Sequence, residues 1–273
     1  MLRRWLIVCL LLISAHTRAE DSLPSPDIFQ PVISIIIDDL GHRYRASKRV
    51  VHLPWPVTCS FLPHTRHADS LARQAWLLNK EVMVHMPMEP ISGKAMGRGG
   101  LSVGMQRLQF EQTLMKSIQA VPFARGLNNH MGSRLTRDAE AMNWLMHSLS
   151  QKDNFYFVDS RTTQQSQAMH KANQHGILNA SRDIFLDHEL TTANIKNQFQ
   201  RLLKRARRYG SAVAIGHPHP ETLAVLEQSL PHLAEIGIKL VPVSELIQIR
   251  KQRRLAWQTS SFRWHKAAKN SKP

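Results

Sequence analysis

Cysteine is almost missing from this chain: Cys9 and Cys59 are the only two in 273 residues. Cys9 falls in a segment that reads as an export signal, so its removal leaves Cys59 alone and excludes an intramolecular disulfide. Inside the apolar stretch from Val57 to Leu62, a single thiol is expected to be a small core residue. Long apolar runs are missing as well. The stretch from Trp5 to Ile13 is too short to span a bilayer. It follows Met1-Leu2-Arg3-Arg4 and leads to Thr17-Arg18-Ala19, which gives the charged start, short apolar centre and small residues of a signal peptide. Cleavage after Ala19 is expected, leaving 254 of the 273 residues, and no Cys follows the run at a lipoprotein position. The mature product is therefore expected to be exported, periplasmic and soluble.

Acidic residues are scarce, 20 Asp and Glu against 36 Lys and Arg, for a formal charge of +16. Cleavage removes Arg3, Arg4 and Arg18 and no acid, which brings the charge to +13. Such a balance suits a nucleic-acid binder, but export argues against that partner, and much of the excess is local. Residues 250–273 hold eight Lys or Arg and no acid. Residues 249–273 are expected to be a disordered, solvated basic tail, with electrostatic contact to an anionic envelope surface as its functional option. Nucleotide-binding glycine patterns are absent too. The glycine-rich stretch from Gly93 to Gly104 has neither G-x-G-x-x-G nor Walker spacing and reads as a mobile loop over the mouth of a site.

Between the lead-in 20–31, whose prolines keep it out of a central sheet, and the tail, short apolar strands alternate with amphipathic segments. Strands are expected near 32–38, 57–62, 81–86, 124–129, 154–159, 176–180, 211–216 and 238–242. Helices fit at 44–52, 67–79, 106–120, 136–150, 191–208, 220–235 and 243–250. The helix from Thr191 is the clearest, with Ile195, Phe199, Leu202, Leu203 and Ala206 on one face. This alternation over 32–248 predicts one α/β, barrel-like domain with a parallel sheet.

The most informative stretch is V-I-S-I-I-I-D-D-L-G, Val32 to Gly41, where a strand apolar on both faces ends in Asp38 and Asp39. Four more strands end in polar groups: His85, then Asn128-Asn129-His130, then Asp159-Ser160-Arg161, then His217. A lone histidine at a strand end is usually a turn residue. Five strands ending alike are different, because parallel strands deliver their C-terminal residues to one face. Asp39, His85 and His130 form the carboxylate-plus-two-imidazole set expected of a catalytic divalent ion. Zinc fits it, as do nickel and cobalt. Asp38 is placed to take a proton from water, and His217 to return one to a leaving group. His219 reads as structural.

The motifs I-I-I-D-D-L-G, V-H-M-P-M-E-P, N-N-H-M-G-S, F-V-D-S-R-T, R-D-I-F-L-D and I-G-H-P-H-P-E-T resemble those of the divergent branch of the polysaccharide deacetylases, over nearly all of 32–248. The resemblance implies a deformed (β/α)7-type barrel of the NodB kind and metal-dependent removal of acyl groups from a polysaccharide. By that resemblance Asp38 is the catalytic base, Asp39 and His85 are metal ligands, and His217 is the catalytic acid. Asp159 falls near the family's base-orienting acid, and Arg161 is expected to pair with Asp38 or Asp159. The family's second metal histidine is replaced by Glu89 and its R-x-P-Y motif by the segment around N-N-H-M-G-S. His130 is therefore taken as the third ligand, with Glu89 as its rival. A binding protein on the same barrel, without turnover, is the alternative reading.

Overall fold

A computed structural model describes residues 30–270, with side chains described as far as Gln258. The expected signal peptide and most of the lead-in lie outside the described residues. Nine parallel strands run as β1 (Val32–Leu40), β2 (Thr58–Phe61), β3 (Glu81–Met88), β4 (Gly126–Met131), β5 (Tyr156–Asp159), β6 (Asn179–Ser181), β7 (Ile184–Phe185), β8 (Ser211–Gly216) and β9 (Lys239–Leu240). Eight helices intervene: α1 (Tyr44–Val51), α2 (Ala68–Leu77), α3 (Arg107–Gln119), α4 (Ala139–Ser150), α5 (Ala168–Gln174), α6 (Thr192–Tyr209), α7 (Pro220–Ser229) and α8 (Val243–Asn270).

The strand order is β6-β5-β4-β3-β2-β1-β8-β7, with β9 paired to the start of β1. β6 and β7 stand at opposite ends of that order, yet only Arg182 and Asp183 separate them in sequence. Three residue steps reach at most about 11 Å, so the two edges must nearly meet. The sheet is therefore a barrel with one unpaired seam. Both edge strands are very short, which limits the unpaired backbone that the seam exposes.

Strand periodicity divides the apolar residues into two cores. Ile33, Ile35 and Ile37 of β1 face the helices, within the large cluster that includes Phe61, Phe110, Leu145 and Phe199. Val32 and Ile36 face the barrel interior with Met83, Tyr156, Val213 and Ile215. Val243, Leu246 and Ile247 at the start of α8 complete that inner core. The first turn of α8 is tied to the barrel wall. Thr58 Oγ1 accepts from the Val243 N–H, Glu81 Oε1 accepts from the Ser244 N–H, and Thr58 donates to Glu81. A buried acid is tolerated there because the helix N-terminus offers donors and positive potential.

Cys59 sits fully buried in β2, and burial pushes its thiol up to about 12, which leaves it an inert core residue. Three sequence expectations are corrected. α5 and β7 were not foreseen; both are short, and β7 has two residues, too few for any period to register. Within the basic segment after 248, expected to be disordered, α8 continues as far as Asn270. No described helix is long and apolar enough to cross a membrane.

Candidate metal centre and catalytic pocket

Residues at every second strand position share a face, so the parity that points Ile36, Met83, Tyr156 and Ile215 inward also brings Asp38, His85, Val158 and His217 to the upper barrel interior. Asp39 should then point outward. It does not, because β1 carries an irregularity between Ile37 and Leu40, and Asp39 adopts a left-handed φ of 58°. Such a conformation costs a non-glycine residue about 1 kcal/mol or more, and strain of this kind collects at functional sites. Here it turns two successive carboxylates toward one mouth.

Three ligand atoms converge there. His85 Nε2 lies 3.3 Å from Asp39 Oδ1, His130 Nδ1 lies 3.2 Å from the same oxygen, and the two ring nitrogens are 3.0 Å apart. Three ligands each about 2.1 Å from one ion would be separated by about 3.0–3.4 Å. Asp39 Oδ1 is buried and has no aligned hydrogen-bond partner, a cost the fold sustains for a cation. Burial works against the Asp39 charge, but the close imidazoles of His130 and His85 hold its carboxyl well below the usual carboxylate range. The residues present fit a divalent ion.

Around this cluster lies a fixed set of supports. Asn128 Oδ1 accepts from Ser60 Oγ at 2.9 Å and lies 2.8 Å from His85 Nδ1, while Asn128 Nδ2 donates to Asp38 Oδ1 and Oδ2 at 2.8 and 3.0 Å. Because Asn128 Oδ1 only accepts, the proton of His85 belongs on Nδ1, which leaves the Nε2 lone pair facing Asp39 and His130. Asp38 stands behind His85, its Oδ1 3.5 Å from Nδ1, and so outside the ligand cluster. On the other side His217 Nδ1 lies 2.9 Å from Asp187 Oδ1, and Asp187 Oδ2 accepts from the His217 N–H and Thr222 Oγ1. His217 Nε2 then faces the cluster, 3.9 Å from Asp39 Oδ2. Although burial opposes it, the Asp187 carboxylate raises His217 to about 9.

Residues 35–247, which carry every element of this arrangement, match the family described as divergent polysaccharide deacetylase. The chain belongs to that family. The chain is 37% identical over 226 residues to the uncharacterized protein YibQ of Escherichia coli (strain K12), covering 83% of this chain and 70% of YibQ. The uncharacterized protein ATU2773 of Agrobacterium tumefaciens C58 has a similar structure, with TM-score 0.76 and 24% identity over 80% of this chain and 89% of that one. The Bc1960 peptidoglycan N-acetylglucosamine deacetylase matches with TM-score 0.50 and 12% identity, again over 80% of this chain and 89% of that one. These two structures support the NodB-like barrel, the fold expected from the sequence.

Within the deacetylase barrel several assignments change. Glu89 lies apart from the Asp39, His85 and His130 cluster: its carboxylate accepts from the Val103 N–H and pairs with Arg134 at 2.9 Å, fastening the glycine-rich segment and the turn after β4. That segment lines neither cavity beside the cluster. Asp159 is fully buried, but it accepts from the backbone N–H of Arg161 and makes no contact with Asp38 among the described residues. The Arg161 guanidinium pairs with neither carboxylate. Asn128 holds Asp38 instead, and Arg182 in the seam is a guanidinium that interacts electrostatically with both Asp159 and Asp38. The sequence reading placed Asn128 at a strand end without a role and left Asp187 unassigned. Its inward parity with His85 could have marked Asn128; the pairing of β7 with β8 that brings Asp187 beside His217 has no sequence signature, because β7 is only two residues long.

The Asp187–His217 pair gives the metal-free protein a pH signature. His217 is raised from 6.5 to about 9 and Asp187 is lowered from 3.8. Their stabilisation is therefore complete between about pH 4 and 6.5, fades as pH rises through 9, and fades again as acid protonates Asp187. Melting of the metal-free protein should fall by about 5 °C or more between pH 6.5 and 9.5. Asp187→Asn should melt lower at pH 6 and lose most of that slope; an unchanged slope would disprove the pairing.

Proposed function

We propose that this protein is an exported, metal-dependent hydrolase that removes acetyl groups, N- or O-linked, from a polysaccharide. One observation carries the reading: Asp38 and His217 stand on different sides of the Asp39, His85 and His130 cluster, each held by its own partner. A pure binder has no use for a separate base and acid placed about a metal site. Asp39, His85 and His130 would hold the ion, with zinc fitting the donors, and when bound a divalent ion acts as a Lewis acid and makes water a usable nucleophile near neutral pH.

The chain's own residues supply the proton traffic. Asp38, held by the Asn128 amide, takes the proton of the attacking water. His217 donates from Nε2 to the departing nitrogen or oxygen, and Asp187 stabilises its imidazolium, so the acid remains charged at neutral pH. Bc1960, named as a peptidoglycan N-acetylglucosamine deacetylase, supports an acetylated amino sugar as the first substrate to try.

The test is acetate release from N-acetylated and O-acetylated oligosaccharides by the metal-loaded mature protein, beside the same protein stripped with a chelator. Release by the loaded form alone is expected. No release on any acetylated glycan by a protein that holds its ion overturns the hydrolase reading and leaves a binding protein on this barrel.

A further inference from the structure

Two hollows flank the metal cluster and share His130 and His217 as their common wall. One, of about 430 Å³, runs from Asp38 past Ser160, Arg161 and Arg182 to Phe185. The other, of about 240 Å³, is lined by His42, Arg43 and His219. The acids lining either hollow are Asp38 and Asp39 alone, and a divalent ion balances that pair. What remains is cationic.

The two arginines of the larger hollow are differently employed. Arg182 donates from Nε to the Ser160 carbonyl at 2.7 Å and from Nη2 to the Arg161 carbonyl at 3.1 Å, with its guanidinium 4.8 Å over the Phe185 ring. It builds the floor. Arg161 adopts φ 53°, a strained conformation that glycine would take more easily. Its N–H is fixed by Asp159 and its carbonyl by Arg182, so the exposed side chain is held at the cavity edge. No carboxylate meets its guanidinium among the described residues. Beside it, Ser160 Oγ is buried without a hydrogen-bond partner.

We infer that the hydrolase proposed above acts on an acidic glycan, and that Arg161 receives an oxyanion, a carboxylate or phosphate, carried by the sugar that fills this hollow. A planar guanidinium fork matches either group with two parallel donors, and the backbone that fixes Arg161 at the cavity edge aims it before the ligand arrives. The same residue would then select the substrate without touching the reacting atoms. This inference rests on the hydrolase reading for its substrate but is read by binding alone.

The probes are N-acetylglucosamine and two relatives that each add one oxyanion, N-acetylmuramic acid with a carboxylate and N-acetylglucosamine 6-phosphate. Calorimetric titration of the mature, metal-loaded protein should show at least one acid bound about tenfold or more tightly than the neutral sugar. Which acid gains identifies the oxyanion. Arg161→Gln should abolish the difference and Arg161→Glu should reverse it; Arg161 is exposed, so both variants are expected to fold. Equal affinity for all three sugars overturns the inference, as does a preference that survives Arg161→Glu. Acetate release by wild type from a neutral acetylated oligosaccharide tests the hydrolase reading separately. Failure there with the acid preference intact removes the reaction and keeps the recognition.

Discussion

Asp38→Asn should lower kcat/KM for acetate release by about 10²- to 10⁴-fold, the usual contribution of a positioned proton acceptor, while the metal content stays at the wild-type value. The geometry separates the two readouts. Asp38 faces His85 from the Nδ1 side, at 3.5 Å, whereas the ligand atoms converge at Nε2. Its oxygens meet the Asn128 amide. An asparagine has the same shape, but its amide nitrogen would confront the Asn128 nitrogen, so one hydrogen bond is lost even after the best rotation. That costs about 1–3 kcal/mol of stability at a buried site, which a melting curve would register without loss of the fold. Elemental analysis and acetate assays on the same preparation decide the matter. Metal lost together with activity would make Asp38 a ligand; activity retained within threefold would mean that another group takes the proton.

The positions of Asp38, His85, His130 and His217 were legible because a parallel strand announces itself as a short β-branched run, and a polar residue at its end is conspicuous against that run. The same contrast gave the parallel barrel and most of its helices. What could not be read was how groups from distant strands are paired. The left-handed turn at Asp39 depends on an irregularity in β1, and V-I-S-I-I-I-D-D carries no local sign of it. Arg161, at a strand end beside Asp159, looked like a partner for Asp38 or Asp159. Its backbone conformation sends the guanidinium elsewhere, and the neighbouring charge comes from Arg182 across the seam between β6 and β7. That seam exists only because the sheet has curled. Asp187 reaches His217, thirty residues away in sequence, because the two-residue strand β7 pairs in register with β8. Glu89 failed as a ligand for a simpler reason: its carboxylate is committed to Val103 and Arg134.

Single substitutions in the cluster should divide sharply by metal content. Wild type, purified without a metal-affinity tag, is expected to carry about one divalent ion per chain. His85→Ala and His130→Ala should each weaken binding by more than the roughly 10- to 100-fold typical of losing an outer-shell partner, leaving little metal after dialysis. Each removes one of three donors and leaves Asp39 Oδ1 facing a gap. His85→Ala also strips Asn128 of the group that orders its amide, so it should disturb Asp38 as well. Glu89→Ala should keep the ion, because the carboxylate lies outside the cluster, and its cost should appear as a looser turn after β4 through loss of the Arg134 pair. Asn128→Ala belongs between these classes: the three donors remain, but the hydrogen bond that holds the His85 proton on Nδ1 is lost, and affinity should fall by about 10- to 100-fold. Loss of metal in Glu89→Ala with retention in His130→Ala would exchange the third ligand and require the pocket to close differently from the arrangement seen here. A wild-type protein that neither carries nor takes up an ion would remove the basis for the hydrolase.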